Sequence, residues 1–178
     1  LWTGDLTIAN AKAIIDSPLR QKIKDELLAG TSNVWLLIQS GDESLDQEAE
    51  QRLRKFLGQA SEETKLPDGI IPLEKAHQLR SGPDEGPIDM DDVLRSSVPL
   101  KIHFSTIAVS RNDPEEEIFI SMLLKHSPRM RSITDQPIAI PIFGRGRVLE
   151  GMIGEDITLE HTLGASSYLC SACSCQVK

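Results

Sequence analysis

The stretch NVWLLIQ, residues 33–39, is the sequence feature that most constrains the fold. It is a continuous apolar run of strand length, bounded by Ser32 on one side and by Ser40 and Gly41 on the other. A strand that reads as apolar at every position, without alternation, is typical of a strand covered on both faces. The sequence therefore predicts a central strand, with Trp35 inside the core.

A helix is predicted directly after that strand, following the turn SGDE. Ser44 and Gln47 have the spacing of a capping box. The apolar side chains after them recur on one side of a helix; they are Leu45, Ala49, Leu53, Phe56 and Leu57. A strand, a tight turn and a helix form the opening of a βαβ unit, in which the next strand lies parallel to the first.

Another helix is predicted in front of the central strand. Ser17 followed by Pro18 is typical of a helix start, and Gly30 marks its end. Leu19, Ile23 and Leu27 recur at four-residue spacing between these signals. Residues 6–15 fit either a short helix or a strand fragment.

The second half of the chain continues as strand, helix, hairpin and helix. Residues 100–109 alternate apolar and polar side chains, as a strand does. Asp113, followed by a proline and three glutamates, is expected to begin a helix that Pro128 ends. Two short strands, residues 137–143 and 147–153, are predicted to be joined by the turn GRG. A last helix is predicted to be capped by Thr158.

Residues 58–98 interrupt this pattern with prolines, glycines and clustered acids. We expect an insertion there, with short helical turns near residues 73–79 and 90–94, inside a single domain that spans residues 1–178.

The net charge of −8 disfavours nucleic acid as a partner, because the field of the chain repels phosphates. The sequence has no apolar run of about 18 residues, so no membrane span is expected.

The segment QPIAIPIFGRGRVLEGMIG, residues 136–154, holds a proline, an apolar strand ending in phenylalanine, a glycine turn, a second strand and a glycine before the last helix. These features fall at Pro137, Phe143, Gly146, Val148 and Gly154. This segment and the order of elements resemble the thioredoxin-like superfamily over roughly two-thirds of the chain. The resemblance implies an α/β fold with a mixed sheet and a β-α-β-α-β-β-α core, here with an N-terminal helix and a long insertion.

The resemblance also implies a role for Pro137. By analogy, Pro137 would follow a cis peptide bond and face the turn after the central strand. The alternative is an ordinary trans proline that starts an edge strand, since most peptide bonds before proline are trans.

The chain departs from the resemblance at the turn after the central strand. In thioredoxin-like oxidoreductases this turn supplies a CxxC pair, but here residues 40–46 read SGDESLD and hold no sulfur. Conventional disulfide oxidoreductase activity is therefore not expected at this turn. Ser40, Asp42 and Glu43 are expected to cap the helix that follows. A second interpretation is that they form a polar binding surface with the residues opposite, Gln136 and Pro137.

The three cysteines lie together in LCSACSC, at Cys170, Cys173 and Cys175. Cys170 continues the apolar row of the last helix, so we expect a thiol packed into the core. Two functional alternatives stay open. The cluster could form a reversible disulfide, or it could bind a soft metal such as Zn(II) or Cu(I), or an iron-sulfur cluster, for which a fourth ligand is missing.

Taken together, the sequence predicts a redox-inactive, thioredoxin-like binding or scaffold module without enzymatic activity or a cofactor. Its partner is expected to be another protein or the rest of a larger chain, contacted through an acidic surface. The alternative function is thiol redox chemistry or soft-metal handling through the CxxCxC cluster. The four histidines and the GRGR turn match no ligand or phosphate-binding motif.

Overall fold

The computed structural model describes residues 4–5, 7–65, 71–72, 93–94, 102–144 and 146–170. The helices in this part of the chain are α1 (Ile8–Ile15), α2 (Pro18–Leu28), α3 (Glu43–Glu63), α4 (Glu117–Leu124), α5 (Pro128–Ser132) and α6 (Leu159–Leu169). The strands are β1 (Asn33–Gln39), β2 (Ile71–Pro72), β3 (Val93–Leu94), β4 (Phe104–Ser110), β5 (Ile138–Phe143), β6 (Arg147–Val148) and β7 (Met152–Ile153). A 3-10 turn, Gly154–Asp156, precedes α6.

Strand β1 lies in the middle of a five-stranded mixed sheet. It pairs in parallel with β4 and antiparallel with β5, and β5 pairs antiparallel with both β6 and β7. In this register Ile38 of β1 lies opposite Val109 of β4 and Ile138 of β5. The prediction of a mixed α/β sheet built around residues 33–39 is thus confirmed. Strands β2 and β3 form a separate parallel pair.

The continuous apolar run of β1 is explained by two hydrophobic clusters, one on each face of the sheet. Val34, Leu36 and Ile38 belong to the cluster that α2, α4 and α5 cover. Trp35 and Leu37 belong to the cluster covered by α3 and α6. Successive side chains of a strand point to opposite faces, so every position from 34 to 38 is buried and none needs to be polar. None of the described helices is long and apolar enough to cross a membrane.

The first face is held together by a buried carboxylate. Glu116, which is 3% exposed, accepts a hydrogen bond of 2.5 Å from the Ser17 hydroxyl and one of 2.6 Å from the Leu19 amide. Ser17 also caps α2 by accepting from the Arg20 amide. A residue just before α4 therefore satisfies donors at the start of α2, and the two helices are fixed to each other although they are about a hundred positions apart in sequence.

Several predicted boundaries are wrong, each for a local reason. Asp113 does not begin α4, because its carboxylate accepts the Glu115 amide in a turn and the N-cap is Glu116. Pro128 does not end α4, whose last residue is Leu124, but is the first residue of α5, and Ser127 is the N-cap of α5. Residues 6–15 contain a helix, α1.

Helix α3 continues to Glu63, so residues 58–63 of the predicted insertion belong to this helix. Val93 and Leu94, placed in a helical turn by the sequence, are the strand β3. The other predicted helical turn, residues 73–79, lies outside the described residues.

Gly151 marks the closest approach between β7 and the first face. A Cβ atom at this position would lie 2.7 Å from Ile138 Cγ2 and 2.7 Å from Met130 Sδ, and both of those side chains are buried. The Gly151 amide also points at Met130 Sδ, 3.3 Å away. Neither neighbour is free to move aside, so this position requires glycine.

We predict that Gly151→Ala lowers the free energy of unfolding by about 1–3 kcal/mol, because the added methyl group overpacks a filled core. Gly58→Ala is the matched control. Gly58 lies inside α3 with no atom within 4 Å of an added Cβ, and alanine favours helix by about 1 kcal/mol. Urea unfolding of both variants checks the prediction. A Gly151→Ala protein as stable as wild type would contradict the packing described.

Candidate functional site

The edge of the sheet where β1 and β4 end brings three separate chain segments together. Gln39 and Ser110, the last residues of the two parallel strands, lie opposite each other, and β5 begins beside them. The turn after β1 therefore lies between the loop that follows β4 and the loop that precedes β5. Ligands of open α/β sheets commonly bind at this carboxyl edge. We refer to this region, formed by residues 40–46, 111–113 and 133–137, as the carboxyl edge.

The turn after β1 is built around the carboxylate of Asp46. This side chain, in the first turn of α3, accepts from the Ser40 amide at 2.7 Å, the Ser40 hydroxyl at 2.8 Å and the Gly41 amide at 3.0 Å. Gly41 has a φ of +98°, a conformation that side chains rarely adopt. Asp46 is 5% exposed. The turn amides thus bind a carboxylate from the chain itself.

The start of α3 is capped by Asp42. Its side chain accepts from the amides of Ser44 at 3.0 Å and Leu45 at 3.1 Å. The expectation that Asp42 caps the helix is confirmed, but the predicted capping box of Ser44 and Gln47 is wrong. Gln47 instead donates to the Glu43 side chain at 3.0 Å on the exposed surface, one helical turn away.

Arg111 joins the two loops that flank this turn. From the end of β4 it donates to the carbonyl of Ile133 at 3.1 Å and to the carbonyl of Gln136 at 3.0 Å. Burial lowers the pKa of Arg111 below its ordinary value, and the negative charges of Asp46 and Asp135 act in the opposite direction. Arg111 Nε is buried without a hydrogen-bond partner among the described residues. Arg111 therefore fixes the loop before β5 to the end of β4.

Gln136 and Pro137 complete the carboxyl edge from the β5 side. The Pro137 carbonyl accepts from the Gly154 amide at 2.9 Å, and Pro137 is buried. Gly154 has a φ of +53°, and a Cβ atom there would lie 2.6 Å from Gln136 Oε1. Gln136 is thus packed against the turn before α6. All described peptide bonds are trans, so the cis bond that the resemblance implied before Pro137 is wrong.

The register brings the predicted binding residues to one edge but gives them different roles. Ser40, Gln136 and Pro137 are each at least half-buried. Only Asp42 and Glu43 are exposed. Sequence reasoning missed Asp46 and Arg111, because an acid and an arginine in these positions read as solvated charges until the register places them together.

The surface of the carboxyl edge is acidic. The exposed carboxylates of Asp42 and Glu43 lie on the turn, and Asp135 is exposed on the loop before β5. Asp113, half-buried, lies in the loop after β4. The one arginine among these residues, Arg111, is turned inward to backbone carbonyls. Charge complementarity at this edge therefore favours a cationic group.

The cysteines are placed far from the carboxyl edge where the structure describes them. Cys170 is buried at the end of α6, as predicted. At 1.5 Å per residue, it lies about 18 Å along the helix axis from Thr158. Cys173 and Cys175 lie outside the described residues. Within the described part of the chain, no group of three or more histidine, cysteine or acidic side chains is placed to hold a metal ion.

Comparison of the chain with models of protein families, with curated proteins and with solved structures gives no match. The geometry of the carboxyl edge is therefore the basis for a functional proposal. Two properties of this edge matter most: its turn amides are occupied by Asp46, and its exposed groups are carboxylates.

We predict that Asp46→Asn lowers the free energy of unfolding by about 1–3 kcal/mol. An amide has a single acceptor oxygen, so its NH₂ group would face a turn amide and leave that donor without its acceptor. Asp42→Asn is the matched control, since asparagine caps helices as well as aspartate does and the change should stay within about 0.5 kcal/mol. Urea unfolding at pH 7 measures both. Equal losses in the two variants would contradict the role given to Asp46.

Proposed function

We propose that this chain is a redox-inactive, thioredoxin-like module that binds a protein partner or another part of a larger chain. The sheet supports the fold assignment. Strands β1 and β4 are parallel and connected through α3, the antiparallel strands β5 to β7 are added on the other side of β1, and α6 follows them. The glycine that the resemblance expects before the last helix has a physical reason here, because Gly154 leaves room for Gln136.

The observation that carries the proposal is the bonding of Asp46 at the turn after β1. A reactive thiol at a helix N-terminus depends on backbone amides that stabilise its thiolate. Here the amides of Ser40 and Gly41 bind the Asp46 carboxylate, and those of Ser44 and Leu45 bind Asp42. The turn is thus bonded as a rigid acidic surface, which suits recognition better than thiol chemistry.

The partner chemistry follows from the charges at the carboxyl edge. Asp42 and Glu43 are exposed on a turn whose backbone is held by hydrogen bonds to the buried Asp46 side chain. A rigid pair of carboxylates loses little freedom on binding, which favours a lysine- or arginine-bearing segment of the partner. Recognition by charge at an exposed surface is weakened by salt.

A transplanted CxxC pair tests the fold and the lack of redox activity together. We predict that Asp42→Cys/Leu45→Cys, at the N-cap and third position of α3, accelerates the reduction of insulin by dithiothreitol at least about tenfold over wild type. Glu48→Cys/Gln51→Cys is the matched control, with the same spacing on an exposed stretch of the same helix but without the helix N-terminus.

Wild type, with its three native cysteines, should not exceed dithiothreitol alone. Activity of wild type would overturn the redox-inactive assignment and favour the alternative at Cys170, Cys173 and Cys175. Equal activity of the two engineered pairs would contradict the thioredoxin-like placement of the turn.

A second prediction concerns the binding surface. We expect Asp42→Asn/Glu43→Gln to weaken binding of a fluorescent arginine-rich dodecapeptide at least about tenfold in 0.15 M salt, because two exposed carboxylates are lost while the helix cap is kept. Glu62→Gln/Glu63→Gln removes the same charge at the other end of α3 and should have little effect. Fluorescence anisotropy measures both. Equal weakening would show that net charge alone governs binding and would contradict a site at this edge.

A further inference from the structure

A large cavity lies on the first face, away from the carboxyl edge. Its volume is about 980 Å³, and it is bounded by α2, by α4 and by the hairpin of β5 and β6. Its floor consists of core side chains: Ile23, Leu123 and Ile142. No residue of the carboxyl edge lines it. We call this cavity the α2 groove.

The rim of the α2 groove exposes large apolar side chains. Leu28 at the end of α2 is 61% exposed, and Ile15 at the end of α1 is 75% exposed. Both line the cavity, so the apolar floor continues onto an apolar surface. Contiguous apolar surface of this kind is costly to leave in water and marks an interaction site.

The lining of the α2 groove carries two cations and one carboxylate, opposite in sign to the charge of the chain. Arg20 and Lys24 line it together with the exposed His126, and Asp16 is the carboxylate. Lys24 also forms an exposed ion pair with Asp25, at 3.8 Å. The chain as a whole carries a net charge of −8. Arg20 is held in place because its guanidinium lies 4.7 Å from the Phe119 ring centroid and donates to the Ile14 carbonyl at 2.6 Å. A fixed cation over an apolar floor favours an occupant that is apolar on one side and acidic on its flank.

A helix suits the dimensions better than a small molecule does. A small ligand that contacts only the floor of the cavity would leave Leu28 and Ile15 exposed at the rim, whereas an amphipathic helix, about 10–12 Å across, covers floor and rim together. It would pack beside α2 and present apolar residues at positions i, i+3, i+4 and i+7 to the floor.

A second copy of this chain does not offer such a helix among the described residues. The acidic helix α3 buries its apolar residues in its own core, where Leu53 and Ala60 are fully covered. Helix α1 exposes isoleucines but carries a lysine and no acid. Neither of these two helices is therefore a suitable occupant.

We propose that the α2 groove binds an acidic amphipathic helix of a partner protein. This site is distinct from the carboxyl edge, because the two share no residues. The α2 groove carries the opposite charge and offers mainly apolar contacts. The two surfaces can accordingly be tested one at a time.

The test measures binding of a fluorescein-labelled 18-residue peptide to the full chain. The peptide carries leucines at i, i+3, i+4 and i+7 and glutamates on the flanks. We expect binding in 0.15 M salt, with an affinity reduced at least tenfold by Leu28→Glu and at least threefold by Lys24→Gln. Lys55→Gln, an exposed lysine on α3, is the matched control and should change nothing. Asp42→Asn/Glu43→Gln, at the carboxyl edge, should also leave binding intact.

Three comparisons decide the outcome. A scrambled peptide of the same composition and a peptide with lysines in place of the glutamates should both fail to bind; equal binding of either would overturn the proposal. Binding that is unaffected by Leu28→Glu and Lys24→Gln would place the peptide elsewhere and would also overturn it. Vesicles of phosphatidylserine and phosphatidylcholine provide the last comparison. Binding to these vesicles without binding to the acidic peptide would assign the groove to an anionic membrane surface instead.

Discussion

Burial of β1 on both faces is the constraint on which the rest of the structure depends. A strand with five consecutive buried apolar residues needs a partner strand on each side and a helical layer above and below. Strands β4 and β5 supply the backbone partners, and the two sets of helices supply the layers. Helix α3 covers one face of β1 and begins only four residues after the strand ends.

That short connection explains why the carboxyl edge is acidic. A helix that starts directly at a strand end exposes its first amides at the edge of the sheet, where they need acceptors. In this chain Asp42 accepts from the first helix amides, those of Ser44 and Leu45, and Asp46 accepts from the preceding turn amides of Ser40 and Gly41. The same positive helix terminus that could stabilise a thiolate or a bound anion stabilises these two carboxylates instead. The chemistry of the turn thus depends on which group accepts hydrogen bonds from its amides, and here the acceptors are two carboxylates of the chain itself.

Local sequence signals predicted much of the fold. The apolar run of β1, the Ser17–Pro18 start of α2 and the Thr158 cap of α6 each depend on neighbouring residues, and all three were placed correctly. Features that depend on contacts distant in sequence were not predictable. Glu116 is one of three successive glutamates, yet it is buried against Ser17, and Arg111 bonds the loop before β5 although it lies more than twenty positions away in sequence. Their roles follow from the pairing of strands, which no local pattern specifies.

The loop from Arg111 to Glu116 links the two proposed binding surfaces. At one end Arg111 is bonded to the carbonyls of Ile133 and Gln136 at the carboxyl edge, and at the other Glu116 is bonded to Ser17 at the start of α2, beside the α2 groove. Glu116 is buried and Arg111 is partly buried, so breaking either contact would leave a charged group without its hydrogen-bond partners. The acidic edge and the cationic groove therefore keep a fixed relative position. A fixed spacing between two surfaces of opposite charge is what the proposed scaffold function requires of the fold.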